Sequence, residues 1–200
     1  MVVFVLVVGT ILTGSLVGVN RITAPAIQRN EEIRLKRNVL AALAVPADGS
    51  DDAVLAVFDS VVEIRPAGGR VFYISRATGD VAFEYVGSGL WGPIRGAVAV
   101  DPVFTRIRGI TVFHQEETPG LGSRITERAY LDGFRDKRFA GGLVLATPGR
   151  TVRSTATTGD AGPEQIDAIT GATMTSAAFV RLVGGSLRAA AEAYTGGREP

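Results

Sequence analysis

The 200-residue sequence predicts an α+β protein, with one N-terminal transmembrane helix followed by a mainly antiparallel-sheet domain with flanking helices. Three observations predict it. The run Val2–Val19, VVFVLVVGTILTGSLVGV, carries no charge and no proline. Five short stretches rich in β-branched and aromatic residues follow one another between residues 61 and 114, punctuated by Gly and Pro. The C-terminal segment returns to helical spacing, with Phe179, Leu182, Val183 and Leu187 on one side.

As a helix, the first run is about 27 Å long, close to the hydrocarbon thickness of a bilayer. Thr10, Thr13 and Ser15 are tolerable there because hydroxyls bond back to helix carbonyls. Gly9, Gly14 and Gly18 leave one side small, which suits packing on a neighbouring membrane helix and equally matches the ordinary glycine content of spanning helices. A cleaved signal peptide fits less well: there is no basic leader, the apolar run is long, and no A-x-A site follows. Residues 1–20 are therefore expected to be an uncleaved anchor in the lipid bilayer.

Residues 21–46 read as a juxtamembrane helix, with Pro25 in its first turn and Ile27, Ile33, Leu35, Val39, Leu40 and Leu43 as its apolar face up to Pro46. Arg21, Arg29, Arg34, Lys36 and Arg37 outnumber Glu31 and Glu32, which by the positive-inside tendency alone would place the body in the cytoplasm. The remainder, 47–200, reads as one domain. It opens on an acidic, loop-like stretch holding Asp48, Asp51 and Asp52. Strands are expected at 61–65, 70–75, 81–86, 94–100 and 107–114, then a helix at 123–131, a strand at 142–146 and a helix at 175–194.

Composition excludes much. The 21 basic and 20 acidic residues leave a net charge of +1, with no footprint for nucleic acid. Zero Cys removes disulfides, thiolate metal sites, iron–sulfur clusters and Cys nucleophiles, and the single His114 removes metal sites built on several imidazoles. No residue is assigned a catalytic or metal-binding role. Hydrolase chemistry lacks a base: there is no second His, and neither Lys36 nor Lys137 lies near a Ser motif.

Three stretches carry the functional signal. Asp167-Ala-Ile-Thr170-Gly171-Ala172-Thr173 runs into the terminal helix, where free N–H groups, the helix dipole and small residues suit a phosphate. On spacing alone an N-cap is the commoner role for Thr170 or Thr173. His114-Gln-Glu-Glu117-Thr118-Pro-Gly120-Leu121-Gly122 makes a tight loop whose amides can approach a planar ligand, or an ordinary turn after a strand. Gly87-Ser-Gly-Leu-Trp91-Gly-Pro-Ile94 holds the only Trp, a residue type found more often in a core than on a cofactor.

Together these stretches resemble the FMN-binding domain family found in two membrane complexes, in the C-type subunit of the sodium-pumping NADH:quinone oxidoreductase and the G-type subunit of the Rnf ferredoxin:NAD oxidoreductase. In that family D-x-x-[ST]-G-A-T marks a threonine carrying FMN through a phosphoester bond, and the pattern falls here on Thr173. HQEETPGLGSRI resembles the family's flavin-side loop, and GLWGPIRG and VNRITAPAIQRNEE are similar in the same order. The chain's length is nearer the Rnf protein, while its Trp loop leans toward the sodium pump.

The resemblance implies a membrane-anchored flavoprotein subunit that relays electrons inside a multisubunit Rnf- or Nqr-type complex of the cytoplasmic membrane, its domain on the extracytoplasmic side. It also implies a separate flavin transferase for maturation. Thr173 would carry the FMN, with Asp167, Thr170, Gly171 and Ala172 around the attachment point. Glu117, Thr118, Gly120, Leu121, Gly122 and Trp91 would lie near the ring. Asp167 would orient the hydroxyl or cap the helix, and His114 would be structural or a proton shuttle. A stand-alone tethered flavoprotein and an anchored binding module without cofactor are the alternatives.

Overall fold

The computed structural model describes residues 1–146 and 164–196. Of the expected domain 47–200, residues 147–163 and 197–200 lie outside the described residues. The chain divides into two units, Met1–Arg34 and Leu35–Pro200.

The first helix, α1 (Val2–Ala42), is long and apolar enough to cross a membrane. It runs unbroken through Pro25, where the sequence suggests the start of a second helix. A proline removes one i→i−4 bond and crowds one carbonyl, a penalty of about 3 kcal/mol that a long helix absorbs. Thr10 and Thr23 donate to the carbonyls of Leu6 and Val19 at 2.8 and 2.9 Å, which keeps their hydroxyls satisfied along the helix.

The second unit begins with the last turns of α1, then α2 (Asp51–Val61). The stretch expected to be an acidic loop is thus helical from Asp51 onward, while Asp48 stays outside the helix. Ser50 caps it by accepting from the Ala53 amide at 3.4 Å, and Asp51 and Asp52 sit in the first turn, where negative charge favours the helix dipole. Val54 and Phe58 are its buried residues.

The strands β1 (Val62–Ala67), β2 (Arg70–Ser75), β3 (Val81–Ser88), β4 (Pro93–Val100) and β5 (Ile107–His114) form an antiparallel sheet in the order 1-2-3-4-5. Its two faces differ in bulk. Ala82, Ala97 and Ala99 turn one way and pack with Val39, Leu40, Ala42, Val54 and Phe58, the small side chains letting the end of α1 and α2 lie close. Phe72, Phe83, Tyr85, Val98 and Ile110 face the main core.

Beyond β5, the helix expected at 123–131 is a 3₁₀ turn at Gly122–Thr126 followed by the one-turn helix α3 (Arg128–Leu131). Strands β6 (Leu143–Leu145) and β7 (Glu164–Ile166) pair in parallel as a separate ribbon. The last helix, α4 (Thr173–Gly196), lays Thr175, Phe179, Val183, Ser186, Leu187, Ala190 and Tyr194 into the core at three- and four-residue intervals. Phe179 meets the rings of Tyr85, Tyr130 and Phe134 at centroid distances of 5.6–6.1 Å, which fixes where the first turns of α4 sit against the sheet.

Candidate functional site

The three glycine-containing stretches, well separated in sequence, meet at one end of the sheet. The first is the β3–β4 hairpin tip. Gly89 donates to the Gly92 carbonyl at 2.8 Å, closing a tight turn that turns the Leu90 and Trp91 amides inward. Both amides donate to Glu117 Oε1, at 2.7 and 3.2 Å. Successive N–H groups on one oxygen form a small anion nest, and a protein carboxylate fills it.

The second stretch supplies that carboxylate. Glu117 is only 4% exposed. Its own amide donates to Gln115 Oε1 at 2.6 Å, and its Oε2 accepts from Thr175 Oγ1 at 2.8 Å. The loop continues into a turn in which the Leu121 and Ser123 amides donate to the Thr118 carbonyl at 3.2 and 3.1 Å. Gly120 takes φ +74°, and a Cβ there would meet open space, so the backbone itself is approachable.

The third stretch is the entry to α4. Ala172 donates to the Ile169 carbonyl at 2.9 Å across a turn whose third residue, Gly171, takes φ +81°. Ser176, fully buried, locks this turn: its hydroxyl accepts from the Ile169 amide at 3.1 Å and donates to the Ala172 carbonyl at 3.0 Å. A Cβ at Gly171 would lie 3.3 Å from Leu121 Cδ2, so the second and third stretches touch here. Beneath, the Tyr130 hydroxyl is buried beside Ser176, and burial pushes its pKa up to about 12.

The sequence-predicted residues divide by exposure. Asp167, Thr170, Gly171 and Thr173 are open to solvent, as are Thr118, Gly120, Leu121 and Trp91, whereas Ala172, Glu117 and Gly122 are buried. Trp91, at 72% exposure, is no core residue; its backbone is pinned and its indole stands in solvent. Met174, Leu121 and Leu90 are the other exposed large apolar side chains of these loops. Glu117 has both carboxylate oxygens engaged within the protein, so it ties the loops together. His114, at the end of β5, lies 3.5 Å from Glu116 Oε1.

Thr175, Gln115, Ser176 and Tyr130 join the site only in the folded chain. The available sequence signal is a pair of hydroxyl residues, Thr175 and Ser176, at positions where the apolar stripe of α4 turns inward. A polar residue in such a stripe asks for a buried partner.

An α+β domain whose glycine loops converge on a helix start, with open backbone and exposed apolar side chains, offers surroundings that suit a flat, phosphate-bearing ligand. The family model described as the FMN-binding domain matches residues 89–188, half of the chain, and the protein belongs to that family. The C subunit of the Na(+)-translocating NADH-quinone reductase of Pasteurella multocida is 31% identical over 68% of this chain and 52% of its own length. Its Yersinia pestis counterpart is 32% identical over 71% and 50%. The chain thus spans about half the length of the curated relatives it matches. Among solved structures, the C subunit from Parabacteroides distasonis superposes with a TM-score of 0.68 at 21% identity, covering 81% of this chain and 92% of that one. Shewanella oneidensis NqrC gives 0.62 at 22%, covering 81% and 93%. These two likenesses establish the fold.

Proposed function

We propose that this chain is a membrane-anchored electron-transfer subunit whose FMN is joined through a phosphoester to Thr173, in a complex of the Na(+)-translocating NADH-quinone reductase type. The observation that carries the reading is the convergence of all three loops around the first turn of α4, with Thr173 exposed at its first position. The residues present fit the cofactor. The first amides of α4 have no intrahelical carbonyl to reach, and the dipole there favours a phosphate. The open backbone at Gly120 and the exposed Leu121 and Trp91 suit one flat ring.

In this reading FMN, when bound, supplies the capacity to take up and pass on electrons. The chain supplies the position. Thr173 fixes the phosphate end, Gly171 and Ala172 let it approach, and Leu121 and Trp91 offer apolar surface to the ring. Asp167 and Thr170 border the attachment point, and Thr118, Gly120 and Gly122 shape the facing loop. Among the described residues no carboxylate or imidazole hydrogen-bonds Thr173, which supports attachment by a separate flavin transferase.

The test is a denaturing gel of the full chain produced with and without a co-expressed flavin transferase, viewed by flavin fluorescence. A fluorescent band only with the transferase is expected; a dark band in both overturns the covalent reading.

In this proposal the folded body lies on the extracytoplasmic face of the cytoplasmic membrane, the side that the family resemblance supports. The basic residues Arg21, Arg29, Arg34, Lys36 and Arg37 pull the other way, but that tendency is a bias that partner helices override. Protease added to intact spheroplasts is expected to digest the body. A body protected until the membrane is broken would reverse the orientation.

A further inference from the structure

We propose that Thr175 is a positioning residue which, through Glu117, latches the flavin-bearing helix to the two glycine loops and sets the electrostatic environment of the flavin. The inference rests on the reading of Thr173 as the attachment point.

The latch is a single buried carboxylate holding all three stretches. Glu117 belongs to the second, takes the Leu90 and Trp91 amides of the first on Oε1, and takes the Thr175 hydroxyl of the third on Oε2. Thr175 is 3% exposed. Residues two apart on a helix point about 200° away from each other, so Thr175 turns into the protein where Thr173 turns out. Gly122 roofs the bond: a Cβ there would lie 2.8 Å from Thr175 Oγ1 and 3.0 Å from Glu117 Oε2. Water is thereby kept from a charged group whose three named donors are all neutral, and each donor draws off part of its charge.

This geometry gives opposite signs to two substitutions. Glu117→Gln keeps the side-chain shape and removes a negative charge beside the flavin-bearing turn, which favours the arrival of electrons. Thr175→Val keeps the shape and strips one donor from the carboxylate, leaving its charge less compensated and electron arrival less favoured. Thr175→Ser restores the hydroxyl. A purely structural contact would loosen the fold alike in both variants without this opposition.

The experiment is a spectroelectrochemical titration of the flavin-loaded, detergent-solubilised full chain, with thermal unfolding measured in parallel. Relative to wild type, the flavin midpoint is expected to move positive in Glu117→Gln, negative in Thr175→Val, and back to the wild-type value in Thr175→Ser. Midpoints that do not move, or that move the same way in Glu117→Gln and Thr175→Val, overturn the latch even if both variants unfold earlier. A loaded wild type with unmoved variants removes the latch alone. A wild-type chain that never acquires flavin removes both the latch and the reading beneath it.

Discussion

Thr173→Val is expected to abolish the covalent flavin completely while leaving the fold intact. The substitution keeps the β-branched shape and removes only the hydroxyl, the one atom able to form the phosphoester. The side chain is exposed at the first position of α4, so its loss should change stability by no more than about 0.5 kcal/mol. Thr170→Val is the matched control, since Thr170 is exposed in the same turn. Its band should stay fluorescent. In-gel fluorescence of the two variants beside wild type, each produced with a flavin transferase, checks this. A fluorescent Thr173→Val band would move the attachment point elsewhere, and a dark Thr170→Val band would show that the turn carries the chemistry jointly.

Gly96→Ala should have the largest effect on stability. Gly96 lies in β4 opposite Tyr85, beside a shift of register between β4 and β5. A Cβ at this position would run into the Thr111 carbonyl oxygen and the Tyr85 hydroxyl. Those two groups are themselves joined, Tyr85 Oη donating to Thr111 O at 2.8 Å in a fully buried setting. Neither can yield cheaply: one is backbone, and the other is a phenol held against Phe179. Overpacking of this kind costs about 3 kcal/mol, lowering the unfolding midpoint by about 10 °C in a domain of this size. Gly185→Ala sits on the exposed side of α4, where a Cβ meets nothing within 4 Å. It should raise stability by about 0.5–1 kcal/mol by removing helix-interior glycine. Thermal unfolding of both variants reads the contrast, and equal midpoints would refute it.

Much of the fold is legible in the sequence because its signals are local. The apolar run of α1, the five strands and the stripe of α4 each repeat at the period of their own element, and the strand limits fall within two residues of those expected. The helix α2 escapes such a reading although Ser50-Asp51-Asp52 is a helix start in miniature, because acidic residues after a proline look equally like a loop. The segment after Gly122 departs from expectation for a different reason. Its helical composition is cut into a 3₁₀ turn and a single α turn by the need to bring Ile125, Leu131 and Phe134 into the core.

The site divides along the same line. By itself the sequence determined which residues are chemically able to serve: a threonine at a helix start, glycines where the backbone must turn or lie bare, and a composition without thiols or clustered imidazoles. These are properties of short segments. Tertiary structure alone decided that Glu117 faces inward, that the Leu90 and Trp91 amides and the Thr175 hydroxyl converge on it, and that Trp91 stands in solvent. The physical reason is that a buried carboxylate must collect its donors from wherever the fold brings them. Here they come from residues 26, 27 and 58 positions away in sequence, beyond the reach of any local pattern.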